Sequence, residues 1–113
     1  MKLYGIRNCD TVKKARKWLD EQGISYEFHD FKKDGLDEVR LSQWENAVGW
    51  ERLLNRRGTT WRKLSDEVRD TISAHSAHAI MLENTSIIKR PVVEHESSVY
   101  VGFNANDWAT LIN

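Results

Sequence analysis

One sulfur nucleophile is available to this chain, because Cys9 is its only cysteine. It lies in GIRNCDTVKKARKWL (residues 5–19), between a short apolar opening and a run with the period of a helix. A free cysteine often packs as a small buried hydrophobe. A thiol just ahead of a helix, however, meets unpaired backbone N–H groups and the positive end of the helix dipole, and both favour the thiolate. Asn8, Asp10 and Thr11 flank it with polar side chains, so a wet, accessible loop is expected. A carboxylate at Asp10 would oppose ionisation if it faced the sulfur. The expectation is that it caps the helix instead. Cys9 is the candidate catalytic residue, with Asn8, Asp10 and Thr11 as candidate substrate contacts.

Such a nucleophile needs fixed positive charge to hold an anionic substrate. NRRGTTWRK and IKRPV supply Arg56, Arg57 and Arg90. Arginine stays protonated and offers a planar donor fork for carboxylates or oxyanions, whereas its ordinary alternative is a solvated surface position. Lys13, Lys14, Arg16 and Lys17 read as a solvated helix face, or else as a docking surface for an acidic partner. His75 and His78, three apart, lack an evident third ligand, so no metal is expected. His29 and His95 read as structural, and no histidine is placed beside Cys9 for a Cys-His dyad. Among the tryptophans, Trp18, Trp44 and Trp108 fit apolar core faces; Trp61 is left for the insert or a partner surface.

The elements that would position these residues follow from periodicity. MKLYGI predicts a strand, and Val12, Ala15, Trp18 and Leu19 mark one face of a helix that ends near Gly23. ISYEFHDF alternates as a second strand, and the intervening helix permits a parallel, right-handed crossover. The middle of the chain predicts several short helices, with Leu41, Trp44, Val48, Trp50, Leu53 and Leu54 buried and helix starts at Asp66 and Ser76. A bend at Pro91 leads into a β-hairpin turning at EHESS. Asn104 then caps a last helix that carries Trp108, Leu111 and Ile112 on one face. The fold class is α/β: a thioredoxin-like layout with a central mixed sheet of about four strands and an all-helical insertion. One domain over 1–113 is expected, with the insert at approximately 37–85.

Composition sets the outer bounds. Seventeen basic and seventeen acidic side chains cancel, so nothing global steers the chain to DNA or an anionic membrane. No apolar run approaches the roughly 18 residues of a membrane span, and no signal-peptide core is seen at the N-terminus. A lone cysteine fits a reducing compartment. The expectation is a cytoplasmic monomer with no permanently bound cofactor.

GIRNCDTVKKARKWL, NRRGTTWRKL and IKRPVV together resemble, in order and spacing, the arsenate reductase-like (ArsC) family, in its YffB branch, over nearly the whole chain. The resemblance implies a thioredoxin-like fold, Cys9 as nucleophile, Arg90 as a catalytic arginine, and a cis bond before Pro91. It also implies a basic site at Arg56 or Arg57, and docking of glutathione, as an extended peptide, at the Pro91 bend. Two departures stand out. The family's arsenate reductases carry a third arginine after the proline, where this chain has the region of Phe103. The related Spx-type regulators, which bind RNA polymerase, usually show C-x-x-C where this chain has CDTV. The function expected is therefore glutathione-dependent thiol reduction of a small-molecule or protein disulfide. Arsenate reduction, or RNA polymerase binding without enzymatic activity, is the alternative.

Overall fold

The structure, a computed structural model, describes residues 1–112, with side chains described as far as Thr110. It divides into two compact units, Met1–Asp34 with Arg90–Asn113, and Gly35–Lys89.

The first unit is a four-stranded mixed sheet with helices. Strand β1 (Lys2–Gly5) leads through a short loop into helix α1 (Asp10–Glu21), which returns the chain to β2 (Glu27–Asp30) and a single turn, α2 (Phe31–Asp34). The expected second strand is shortened at both ends, because Phe31 turns into α2 and is buried there. Strand β1 pairs in parallel with β2, Leu3 opposite Phe28, as a helical crossover allows. It pairs antiparallel with β3 (Val92–His95), Tyr4 opposite Val92, and β3 pairs antiparallel with β4 (Ser98–Val101), giving the order β2-β1-β3-β4. Helix α8 (Ala105–Ile112) follows, its Asp107 N–H donating to Asn104 Oδ1 at 3.1 Å as the cap predicts. The side chains of Leu111 and Ile112, expected on the apolar face of this helix, lie outside the described residues.

Helix α1 buries Val12, Ala15 and Leu19 against Leu3, Val93 and Trp108. Trp18, expected in the core, is only half-buried and meets Trp108 edge-on at 5.9 Å. Gly23, at φ +68°, closes the helix in the left-handed conformation expected of it, its N–H donating to the Asp20 carbonyl at 3.1 Å.

The hairpin turn is tighter than EHESS implied. His95 pairs with Ser98, leaving only Glu96 and Ser97 in the loop, at φ +49° and +67°. Positive φ at both positions is the hairpin geometry that favours Asn-Gly. Holding a non-glycine residue there costs about 1–2 kcal/mol. Glycine adds freedom to the unfolded chain worth about 0.4–1 kcal/mol. Ser97→Gly is expected to stabilise the protein by roughly 0.5–1 kcal/mol, the balance of these two effects, read as a higher urea midpoint at unchanged slope.

The second unit is the helical insert: α3 (Glu38–Val48), α4 (Trp50–Leu53), α5 (Thr59–Arg62), α6 (Asp66–Asp70) and α7 (Ala74–Glu83), then a 3-10 turn at Thr85–Ile87. Leu41, Trp44, Leu53, Leu54, Ala77, Met81, Ile87 and Ile88 are its buried residues. Val48 and Trp50, expected with them, are half-buried. The caps sit one and three residues ahead of their expected positions. Ser65 accepts from Val68 N–H, and Ser73 forms a reciprocal capping box with Ser76. The cap must come from extended backbone just before the first turn, where Ser65 (ψ 154°) and Ser73 (ψ 173°) stand, whereas Asp66 is already helical.

His78 on α7 is clamped by two carboxylates of α3, with Nδ1 2.7 Å from Glu45 and Nε2 3.3 Å from Glu38. Ionised carboxylates only accept, so both contacts are hydrogen bonds only when both ring nitrogens carry protons. The Glu45 hydrogen bond raises the His78 pKa above 6.5; burial works against it, and Glu38 adds to the rise. Stability from this clamp is fully present below the unfolded value and is lost as pH rises through the raised folded value. Comparing urea midpoints from about pH 5.5 to about pH 9, the gap between wild type and His78→Gln should be widest at the acid end and narrow with rising pH. A gap independent of pH would rule the clamp out.

Candidate functional site

The site is built at one end of the sheet. Since Tyr4 faces Val92 in an antiparallel pair, the exit of β1 and the entry to β3 share that end. The β1–α1 loop with Asn8 and Cys9 therefore shares it with the Arg90–Pro91 corner. The bond between Arg90 and Pro91 is cis, the geometry implied by the family resemblance. Pro91 is buried, and its carbonyl accepts from Gly102 N–H at 2.8 Å, which ties the corner to the exit of β4.

Cys9 is itself the N-cap residue of α1. Its backbone is extended (φ −116°, ψ 124°), and its carbonyl accepts the first helical hydrogen bond, from Lys13 N–H at 2.9 Å. Among the described residues, no side chain caps this helix. Asp10 was expected to do so but is the first helical residue, and a cap needs the extended conformation that Cys9 occupies. The first-turn amides are thus left to whatever the loop binds. Cys9 is half-buried against the Leu3–Val12–Leu19 cluster, while Asn8, Asp10 and Thr11 are exposed.

Gly5 makes this placement possible. A Cβ there would lie 2.7 Å from a methyl of Val12, a fully buried residue of α1's first turns. Glycine lets helix and strand approach closely where the loop carrying Cys9 joins them.

Within the first unit the fold gathers Asn8, Cys9, Asp10, Thr11, Arg90 and Pro91. Arg56 and Arg57 belong to the second unit. The Arg56 guanidinium lies near the rings of both Trp50 and Trp61, at 5.7 and 5.5 Å, which gives Trp61 a partner within its own insert. Arg57 is exposed, and its backbone is held by Asn55 Oδ1 and by Arg62, whose Nη2 donates to the Arg57 carbonyl.

Phe103, where a third arginine was looked for, packs edge-on against Trp108 at 4.8 Å and near Trp18 at 6.3 Å. The position serves aromatic packing. Val12, which fills the place of a second cysteine in C-x-x-C, is wholly buried.

Arg16, expected on a solvated face with Lys13, Lys14 and Lys17, which are exposed, is instead half-buried, 4.2 Å from the Phe28 ring centroid. Its spacing of seven from Cys9, two helical turns, was the available signal. No group of three or more His, Cys, Asp or Glu among the described residues is arranged to hold a metal ion. No helix among them is long and apolar enough to cross a membrane.

A mixed four-stranded sheet with a cis-proline at the same end as a helix whose N-cap position is a cysteine defines a thioredoxin-like, thiol-based protein. The ArsC family profile matches residues 4–111, and the chain belongs to the ArsC family. It is similar to the solved YffB (PA3664) protein, at 44% identity and TM-score 0.94, covering 99% of this chain and 98% of that one. An arsenate reductase (ArsC) related protein from Brucella melitensis is 50% identical, with TM-score 0.82 over 99% of this chain and 94% of that one. The global transcriptional regulator Spx of Streptococcus agalactiae is 29% identical over 93% of this chain and 77% of the regulator.

Proposed function

We propose that this protein is a glutathione-dependent monothiol reductase. The observation that carries the reading is Cys9 as the N-cap of α1, beside amides that no side chain caps and at the same sheet end as the cis-proline corner. The Cys9 thiolate attacks the glutathionyl sulfur of a mixed disulfide, GS–SR. The S–S bond to SR breaks, and RS⁻ leaves and takes a proton from solvent, while Cys9 becomes glutathionylated. The thiolate of a second glutathione attacks the same glutathionyl sulfur. Oxidised glutathione departs and the Cys9 thiolate is restored; the net exchange converts GS–SR and one glutathione into RSH and oxidised glutathione. The resolving thiol comes from outside because the chain has one cysteine. In this reading Arg90, next to the cis-proline, meets a carboxylate of the bound peptide.

Arsenate reduction is the weaker reading, since Phe103 packs among tryptophans where a third guanidinium would hold the oxyanion. A regulator working through an internal disulfide is disfavoured by Val12 in the core. This reading takes the chain as a cytoplasmic monomer that needs no bound cofactor and engages neither DNA nor membrane.

The test is turnover of a glutathione mixed disulfide, followed as oxidised glutathione with glutathione reductase and NADPH, beside a pull-down with RNA polymerase subunits. Turnover proportional to protein, with an arsenate rate no higher than the protein-free control, is the expected result. Polymerase capture with no turnover would replace this reading with the regulator.

A further inference from the structure

We propose that Arg7 and Arg16, gathered on the ring of Phe28, form a carboxylate-binding subsite for the glutathionyl arm of the substrate. The inference rests on the glutathione reading above and names a place where that molecule is held.

Two guanidinium groups approach one ring. Arg16 Cζ lies 4.2 Å from the Phe28 centroid and Arg7 Cζ 5.9 Å from it. Arg16 Nε donates to the Tyr26 hydroxyl at 3.0 Å, which fixes the plane of the guanidinium and leaves both Nη groups to donate elsewhere. Among the described residues neither arginine is paired with a carboxylate. An anion reached by both guanidinium groups would accept from their planar donor forks. The Tyr26 O–H is a further donor toward the same space. Arg16, Tyr26 and Phe28 line an open cavity of about 630 Å³, and Arg7, exposed and near the Phe28 ring, lies outside that lining.

The placement relative to the thiol suits a short peptide arm. Arg16 stands seven residues after Cys9, two turns along the same side of α1, so its Cα lies roughly 10 Å from that of Cys9 along the axis. Lys13, exposed and one turn from Cys9, stands on that side between them. The sulfur of glutathione is on its central residue, so a single arm reaches from Cys9, and a helical side chain at Arg16 leans back toward the N-terminus of α1 and shortens the gap it must cross. Asp20 also lines the cavity, one turn beyond Arg16, and opposes an anion there.

The probe is S-methylglutathione, which carries the carboxylates but no free thiol, compared with its dimethyl ester. Binding is followed through NMR signals of the Phe28 and Tyr26 rings. The acid should shift both, the diester should bind about tenfold more weakly, and Arg16→Gln or Arg7→Gln should remove most of that difference. Asp20→Asn should tighten binding of the acid. Acid and ester binding alike to the wild-type protein, or ring signals unmoved by the acid, would overturn the subsite; this arm needs no variant and is independent of folding defects. Binding by the acid alone in a protein that fails to turn over mixed disulfides would uphold the subsite and refute the catalytic reading. Turnover equally fast with acid and esterified disulfides would do the reverse.

Discussion

A Cys9→Ser protein releases glutathione from mixed disulfides no faster than the protein-free control, with its fold intact. The serine hydroxyl is nearly isosteric with the thiol and sits on the surface side of the core, so helix α1 and its buried face of Val12, Ala15 and Leu19 survive the change. An uncharged hydroxyl is a weak nucleophile with no base placed beside it, whereas sulfur exchanges through its thiolate. The chain has no second cysteine to substitute for it. Mass spectrometry checks the same point without turnover. The wild-type protein treated with oxidised glutathione should gain one glutathionyl adduct, removed by excess glutathione, and the variant should gain none. Full turnover by Cys9→Ser would refute the mechanism outright.

Gly5→Ala should destabilise the protein by about 1–3 kcal/mol, the usual cost of forcing atoms into a packed core. The added methyl would stand 2.7 Å from Val12 Cγ2, well inside van der Waals contact, and Val12 is wholly buried. Valine is stiff at χ1, so the overlap is relieved by moving α1 away from β1 rather than by a rotamer change. That displacement moves the N-cap and its cysteine, and catalytic rate should fall by more than the unfolded fraction explains. Val12→Ala added to Gly5→Ala restores space. The double variant should recover part of the stability, giving a favourable coupling between the two positions in a double-mutant cycle. A urea midpoint for Gly5→Ala equal to wild type would show that the strand–helix approach is not tight.

Much of this architecture is written locally. Apolar spacing marks α1, the alternation near Phe28 marks β2, and Asn104 marks the start of α8, each a matter of a few neighbouring residues meeting water or core on a fixed period. Boundaries slipped where one residue's conformation decides them: Ser65 and Ser73 cap, rather than Asp66 and Ser76, because the backbone leaves its extended state there. At the site, the lone thiol before a helix was legible from residue order. That Cys9 is the cap and Asp10 is not depends on a turn one residue wide.

The sequence by itself determined the class of fold, the single thiol, and hence the absence of a second thiol to pair with it, since these follow from residue type and period. Only the tertiary structure decided which cations share a neighbourhood. Arg16 leaves the solvated face because the fold sets Tyr26 and Phe28 beside it, Arg56 lies near two tryptophans of the insert, and Phe103 is spent on packing. Tyr26 and Phe28, the partners of Arg16, lie at the far end of the α1–β2 connection, at a separation that no periodicity encodes, and only folding brings them within reach.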